Sequence, residues 1–321
     1  MEQKEMKILD CTLRDGGLVN RFYFTDEFVR SLYETNIRAG IDYMEFGYKA
    51  SEKLFNPGEF GKWKFCREDD IRSIVGSNPS SMKISVMADV GRTDYKQDII
   101  DKKDSVIDMV RIATYSDTIG EAVRMTEYCS EKGYETTVNI MAVSNNTDRE
   151  LLDILKILSA SPADAVYLVD SYGSFYPEQI RRLADMYLDA GKDAGTRVGI
   201  HAHNNQQLAF ANTIESMARG VSLLDVTVNG MGRGAGNCST EQLLGYLKST
   251  GADNLRKYDE LPIIDFIEQQ MLPLKRSGVV WGYDIPYLLT GQEKKHPSVA
   301  IEFIDAKRTE YSGLFRELMG A

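Results

Sequence analysis

Short runs rich in Val, Ile, Leu, Met and Tyr recur along this chain at intervals of roughly 25–40 residues, the size of one βα unit. They fall at residues 7–11, 43–48, 83–88, 109–113, 137–142, 165–169, 197–201 and 224–228. Several are apolar throughout, as strands covered on both faces should be. Between them the apolar positions change to helical spacing. In residues 26–39 these are Phe28, Leu32, Tyr33 and Ile37, with Thr25 or Asp26 available to cap the first turn. Residues 119–132, 148–159, 177–190 and 208–219 read the same way. Several of these helices run into a glycine, at Gly40, Gly133, Gly191 and Gly220, as helix C-termini often do.

Eight βα repeats predict an α/β fold, a TIM (β/α)8 barrel. An open doubly wound sheet is the alternative, although no G-x-G-x-x-G follows the first strand. The rhythm stops near residue 253. We therefore expect a catalytic barrel over residues 1–253 and a mostly helical C-terminal extension over 254–321. Residues 49–70 are too long for a plain connection and predict a lid or a small excursion.

Composition narrows the function classes. The 321 residues are 43% hydrophobic and 27% charged, with a formal net charge of -10. That balance supplies no basic footprint for nucleic acid. Cys11, Cys66, Cys129 and Cys238 form no C-x-x-C pair and read as reduced thiols. The N-terminus lacks the apolar core of a secretory signal. No run of about 18 apolar residues predicts a membrane span. A cytoplasmic enzyme is the expectation.

In such a barrel, chemistry gathers where the strands end. The chain has three histidines, and two of them, His201 and His203, stand two apart at the seventh strand end, where both can face one ion. Asp15, after the first strand, is the natural carboxylate to join them, because strands one, seven and eight are neighbours in a closed barrel. Two imidazoles and a carboxylate with open positions suit Mn²⁺, Mg²⁺, Zn²⁺ or Fe²⁺. Arg14 stands ready for developing negative charge. Glu45 lies inside an apolar strand, where an unpaired carboxylate is costly, and reads as support for the metal site. Residues 229–237 (NGMGRGAGN) hold four glycines and read as a loop that closely approaches a ligand, with Arg233 placed to meet an anion. Asp170-Ser171 starts the turn after the sixth strand. Tyr283, Tyr287 and His296 read from the residues alone as packing or surface positions.

Four motifs, LDCTLRDGG at the first strand, Glu45 in the second, HAHNN at the seventh and GMGRGAGN at the eighth, together resemble the DRE-TIM metallolyases over roughly residues 7–245. The 4-hydroxy-2-oxovalerate aldolase branch is the most similar. The resemblance implies a Mn²⁺ or Mg²⁺ ion held by Asp15, His201 and His203, with Asn237 as a further ligand or neighbour. It implies that Arg14 stabilises an enolate, that Ser171 lies near the substrate carboxylate, and that Tyr287 belongs to the site. The implied reaction makes or breaks a C–C bond of a 4-hydroxy-2-oxo acid through a pyruvate enolate. An acyl-CoA lyase or Claisen-type synthase is the second reading, and a non-catalytic barrel that binds metal and keto acid is the third. The resemblance also implies a homo-oligomer, and an aldehyde dehydrogenase as partner. One position departs from the aldolase pattern. The histidine that serves as base three residues after the metal-binding aspartate is replaced by Leu18. Tyr287, His296 or a water would then move the proton.

Overall fold

The computed structural model describes residues 5–252 and 255–320. The expected boundary between residues 253 and 254 lies outside them. Eight parallel strands close a barrel in chain order: β1 (Lys7–Asp10), β2 (Tyr43–Tyr48), β3 (Lys83–Asp89), β4 (Met109–Thr114), β5 (Glu135–Ile140), β6 (Ala165–Asp170), β7 (Arg197–Ala202) and β8 (Leu223–Val226). Closure is made by β1 and β8, with Lys7 opposite Leu223 and Asp10 opposite Val226. The open sheet is thereby excluded. Helices follow the strands, among them Asp26–Arg38, Ile119–Glu131, Asp148–Ser159, Pro177–Gly191 and Ala209–Arg219. Each turns an apolar stripe onto the strands and a charged face outward.

The barrel interior is filled, not hollow. Leu9, Tyr43, Met109, Tyr167, Val169 and Leu223 form an inner plug, and the larger core lies between strands and helices. A repeated device sets the strand starts. Asp42, Asp108 and Asp164 stand just before β2, β4 and β6. Their carboxylates accept the backbone N–H of Ile8, Ile84 and Thr136 at 2.8–2.9 Å. Their carbonyls accept the N–H of Lys83, Glu135 and Arg197. Each aspartate thus ties together the two strands that flank its own, and satisfies donors that the sheet would otherwise leave bare.

Two local features go beyond the strand and helix pattern. Thr12–Asn20 is a helix directly after β1, with Arg14 and Asp15 in its first turns. Its glycines answer to packing. A Cβ on Gly16 would lie 2.7 Å from Met231 Sδ, and one on Gly17 would lie 2.1 Å from the Phe22 ring. Gly191 does not end its helix with a left-handed residue as Gly40, Gly133 and Gly220 do in following theirs. It is still helical, and it is small because a Cβ would meet Thr196 O at 2.9 Å. Residues 49–70 form an excursion with a short 3-10 turn at Lys62–Lys64, tied to the first helix by Gly61 N–H donating to Arg21 O at 2.8 Å. Beyond residue 255 the chain is mostly helical, with helices at Leu261–Phe266, Leu272–Arg276, Ile285–Gln292, Ser298–Asp305 and Tyr311–Met319. Among the described residues no helix is long and apolar enough to cross a membrane.

Candidate metal and active site

Asp15, His201 and His203 converge over the C-terminal end of the barrel, all three buried. The imidazole Nε2 atoms lie 3.6 Å (His201) and 3.9 Å (His203) from Asp15 Oδ2. The two rings stand at 84° with centroids 5.1 Å apart, so both edges face one point. Asn237 reaches the same point: its Nδ2 donates to Asp15 Oδ2 at 2.5 Å, and its backbone bridges to His203. Among the described residues Asp15 Oδ1, His201 Nε2 and Asn237 Oδ1 are sealed from solvent with no hydrogen-bond partner. Buried polar atoms rarely stay unpaired. Three carboxylate, imidazole and amide atoms orphaned around one point fit a divalent cation.

The electrostatics agree. Burial would raise the Asp15 carboxyl, but Arg14 and the two imidazoles hold it well below the usual range. Burial pushes His203 down to about 3, which leaves a neutral imidazole, the form a metal needs. Burial and Arg14 work to lower His201, yet Asp15 and Asp225 outweigh them and raise it. Asp225 Oδ2 lies 3.0 Å from His201 Nδ1, which leaves Nε2 facing the candidate metal position.

Beneath the triad lies a buried chain of charges. Arg14 Nε donates to Glu45 Oε2 at 2.8 Å, and Arg14 Nη1 is 3.3 Å from Asp15 Oδ1. Arg111 Nη1 donates to the same Glu45 oxygen at 2.9 Å, and its Nη2 to Asp225 Oδ2 at 2.6 Å. Glu45 Oε2 thus lies between the two guanidiniums, while Glu45 is not one of the three groups that converge at the candidate metal position. Arg111 and Asp225 carried no role in the sequence reading, although the argument made for Glu45, a charge inside an apolar strand, applies to both. Cys11, His201 and Asp225 also stand at metal-ligand spacing. The Arg111 guanidinium already fills that gap, 3.6 Å from Cys11 Sγ, and burial pushes the Cys11 thiol well up.

The remaining expected residues line the rim. Arg233 reaches Ser171 O at 3.5 Å and His296 Nε2 at 3.3 Å. The Ser171 hydroxyl accepts from Ala142 N–H at 2.9 Å. The Tyr287 ring packs on Gly234, where a Cβ would lie 3.0 Å from it, and Tyr287 O accepts from Asn205 Nδ2 at 3.1 Å. Leu18 is 37% exposed.

A family model described as HMGL-like matches residues 5–265. The chain belongs to the HMGL-like family. The resemblance to the DRE-TIM metallolyases is thereby borne out, and with its relatives this HMGL-like chain is a metal-dependent carbon–carbon lyase. It is 28% identical to the 4-hydroxy-2-oxovalerate aldolase of Geobacillus genomosp. 3, over 88% of this chain and 82% of that one. It is 31% identical to the oxaloacetate decarboxylase of Mycobacterium tuberculosis, over 88% of this chain and 80% of the other. Among solved structures, the N-terminal domain of a proposed aldolase from Bacteroides vulgatus superposes with a TM-score of 0.80 at 28% identity, covering 93% of this chain and 96% of that one. The hydroxymethylglutaryl-CoA lyase of Pseudomonas aeruginosa, at 17% identity and a TM-score of 0.65, shares the fold.

Proposed function

We propose that this HMGL-like lyase cleaves or forms the C3–C4 bond of a 4-hydroxy-2-oxo acid through a pyruvate enolate, with Mn²⁺ or Mg²⁺ held by Asp15, His201, His203 and Asn237. The observation that carries this reading is the set of orphaned buried atoms on Asp15, His201 and Asn237 directly beside the Arg14 guanidinium. When bound, the ion supplies a Lewis acid for a 2-oxo acid. Arg14 has one guanidinium nitrogen, Nη2, without a partner among the described residues, and it offers a fixed donor to enolate charge as that charge develops. Glu45 and Arg111 hold it in place. Asp225 fixes the His201 tautomer. Arg233 and the Ser171 hydroxyl form the wall for the substrate carboxylate, and Tyr287 helps exclude water.

The test is deuterium exchange at the pyruvate methyl group, followed by NMR in D₂O with Mg²⁺ or Mn²⁺. Metal-dependent exchange that a His201→Ala/His203→Ala variant lacks is the expected result. No exchange with metal present would sink the pyruvate-enolate reading.

A second reading is favoured by Leu18. Decarboxylation of a 2-oxo acid bearing a 4-carboxylate, as the name of the Mycobacterium tuberculosis relative suggests, reaches the same enolate with no hydroxyl proton to remove. It therefore dispenses with the base that Leu18 does not provide. Release of CO₂ from oxaloacetate, measured beside cleavage of 4-hydroxy-2-oxovalerate, separates the two.

A further inference from the structure

β2 does not run evenly to its end. Glu45 pairs with Ser85 but Tyr48 pairs with Met87, so β2 spends one more residue than β3 over that stretch. Such a bulge re-aims the side chain beyond it. It returns Tyr48 to the face of Glu45, the barrel interior, in register with Met87 and, across β4, Arg111. Gly47 is needed in the bulge because a Cβ there would lie 1.9 Å from Trp63 O. The 49–70 excursion is thus seated on the bulge, and it lays Lys64 over Tyr48. The Lys64 Nζ is 4.6 Å from the Tyr48 ring centroid, 4.4 Å from Phe55, 5.2 Å from Phe22 and 5.8 Å from Phe60. The residue is only 7% exposed. Aromatic faces attract an ammonium but accept no proton, and Lys64 Nζ makes no hydrogen bond or ion pair among the described residues.

Asp89 ends β3, two residues past Met87 and so on the same interior face. Its Oδ1 is sealed from water and has no hydrogen-bond partner among the described residues, and its Oδ2 lies 3.9 Å from Arg92 Nη1. Burial raises the Asp89 carboxyl, against Lys64, Arg92 and Arg14, while Glu45 adds to the rise. Burial lowers the Lys64 ammonium, and Asp89 opposes it. The Tyr48 phenol is raised by burial, then acted on by Arg14, Asp89, Asp15 and Glu45. Tyr48 and Asp89 are the last residues of β2 and β3, so the cluster stands at the end of the barrel where Asp15, His201 and His203 converge.

We infer that Asp89 is the acid–base residue of the aldol reaction, with Lys64 and Tyr48 as positioning residues around it, in place of the base that Leu18 cannot be. The inference rests on the 2-oxo acid reading above. Asp89 takes the proton of the C4 hydroxyl, whose O–H electron pair becomes the second C–O bond of an aldehyde. The C3–C4 bond breaks and its pair enters the enolate. Asp89 returns the proton to C3, giving pyruvate, so no other reactant is consumed. Only substrates with a hydroxyl at C4 need the O–H deprotonation; a 4-carboxylate leaves as CO₂ with no O–H bond to break, and the enolate it leaves takes its C3 proton from water.

The test uses the full chain with Mn²⁺, and 4-hydroxy-2-oxovalerate and oxaloacetate as probes. Asp89→Asn should lower kcat/KM for the hydroxy acid by about 10²–10⁴-fold and affect oxaloacetate far less. Calorimetry should find pyruvate bound as tightly as by the wild type. Equal losses on both probes, or cleavage retained on the hydroxy acid, would overturn the assignment. In Lys64→Met the acid limb of kcat/KM for the hydroxy acid should move to higher pH, because the carboxylate loses a cation that favours it. An unmoved limb would overturn the role of Lys64. A wild-type enzyme inert toward both probes would instead overturn the lyase reading and this assignment with it, whereas an active wild type without the split overturns only Asp89.

Discussion

At the scale of single residues, the geometry of the candidate metal site depends on a glycine as much as on its proposed ligands. A Cβ at Gly232 would fall 2.1 Å from Asn237 Nδ2 and 2.9 Å from Asp15 Oδ2. Gly232→Ala should therefore push Asn237 and Asp15 apart and weaken Mn²⁺ binding by at least 10-fold in calorimetry; unchanged affinity would mean that Asn237 is no neighbour of the ion. Asp225→Asn should cost about 10–100-fold in metal affinity, the usual effect of losing the partner that orients a histidine ligand. Unaltered affinity in that variant would leave the His201–Asp225 contact without a role in binding. The cluster of candidate ligands was legible because its signal is local: H-x-H at a strand end and Arg-Asp after the first strand need only period and order. Asp225 and Arg111 pair through the inside of the barrel from β8 and β4, and only closure makes them partners. Tyr48 was hidden more deeply. Strict alternation from Glu45 puts it outside, and the bulge that brings it inside is set by Trp63, fifteen residues on.

At the scale of elements, strands and helices were readable nearly to their ends because each has a strong period and a chemical stop. The helix Thr12–Asn20 was not readable, since glycines mid-helix argue for a turn until their packing against Met231 and Phe22 is known. The strand starts carry their own polar seal at the end of the barrel away from the candidate metal site. Glu135, opening β5, accepts from the Tyr43 hydroxyl at 3.0 Å and Lys83 at 2.8 Å, and pairs with Arg197. Burial would raise its carboxyl, but Lys83 and Arg197 outweigh burial and lower it. A folded value below the unfolded one adds stability that is complete above the unfolded pKa of 4.5 and is lost as pH falls through the folded value. Glu135→Gln should thus destabilise the chain at pH 7 by about 1–3 kcal/mol. The gap in Tm between variant and wild type should narrow below pH about 4.5; a gap that stayed constant down to pH 3 would contradict the ion-pair account.

At the scale of the whole molecule, the barrel separates stability at one end from chemistry at the other, and the C-terminal segment closes over the chemical end. Trp281 Nε1 donates to Asn229 O at 2.9 Å, Gly282 N–H to Gly234 O at 3.0 Å, and Arg233 meets His296. The glycine loop of residues 229–237 is thus clamped between β8 and the extension, which holds Asn237 where it is. Under that cover, Asp15, Glu45 and Asp225 face Arg14 and Arg111, so three buried carboxylates meet only two guanidiniums and one negative charge is left over. Buried uncompensated charge is costly, and a divalent cation between Asp15 and two imidazoles removes the deficit. Metal should therefore stabilise the fold as well as serve the reaction. Mn²⁺ at 100 times its dissociation constant contributes about 2.7 kcal/mol, which should raise Tm by roughly 3–8 °C over the same protein in chelator. Glu135→Gln should melt lower but keep the whole increment, because its site is at the opposite end and independent effects add. His201→Ala/His203→Ala should lose the increment. If that double variant were stabilised as much as the wild type, the ion would be binding among the surface carboxylates of this acidic chain, and the assignment of Asp15, His201 and His203 as its ligands would fall.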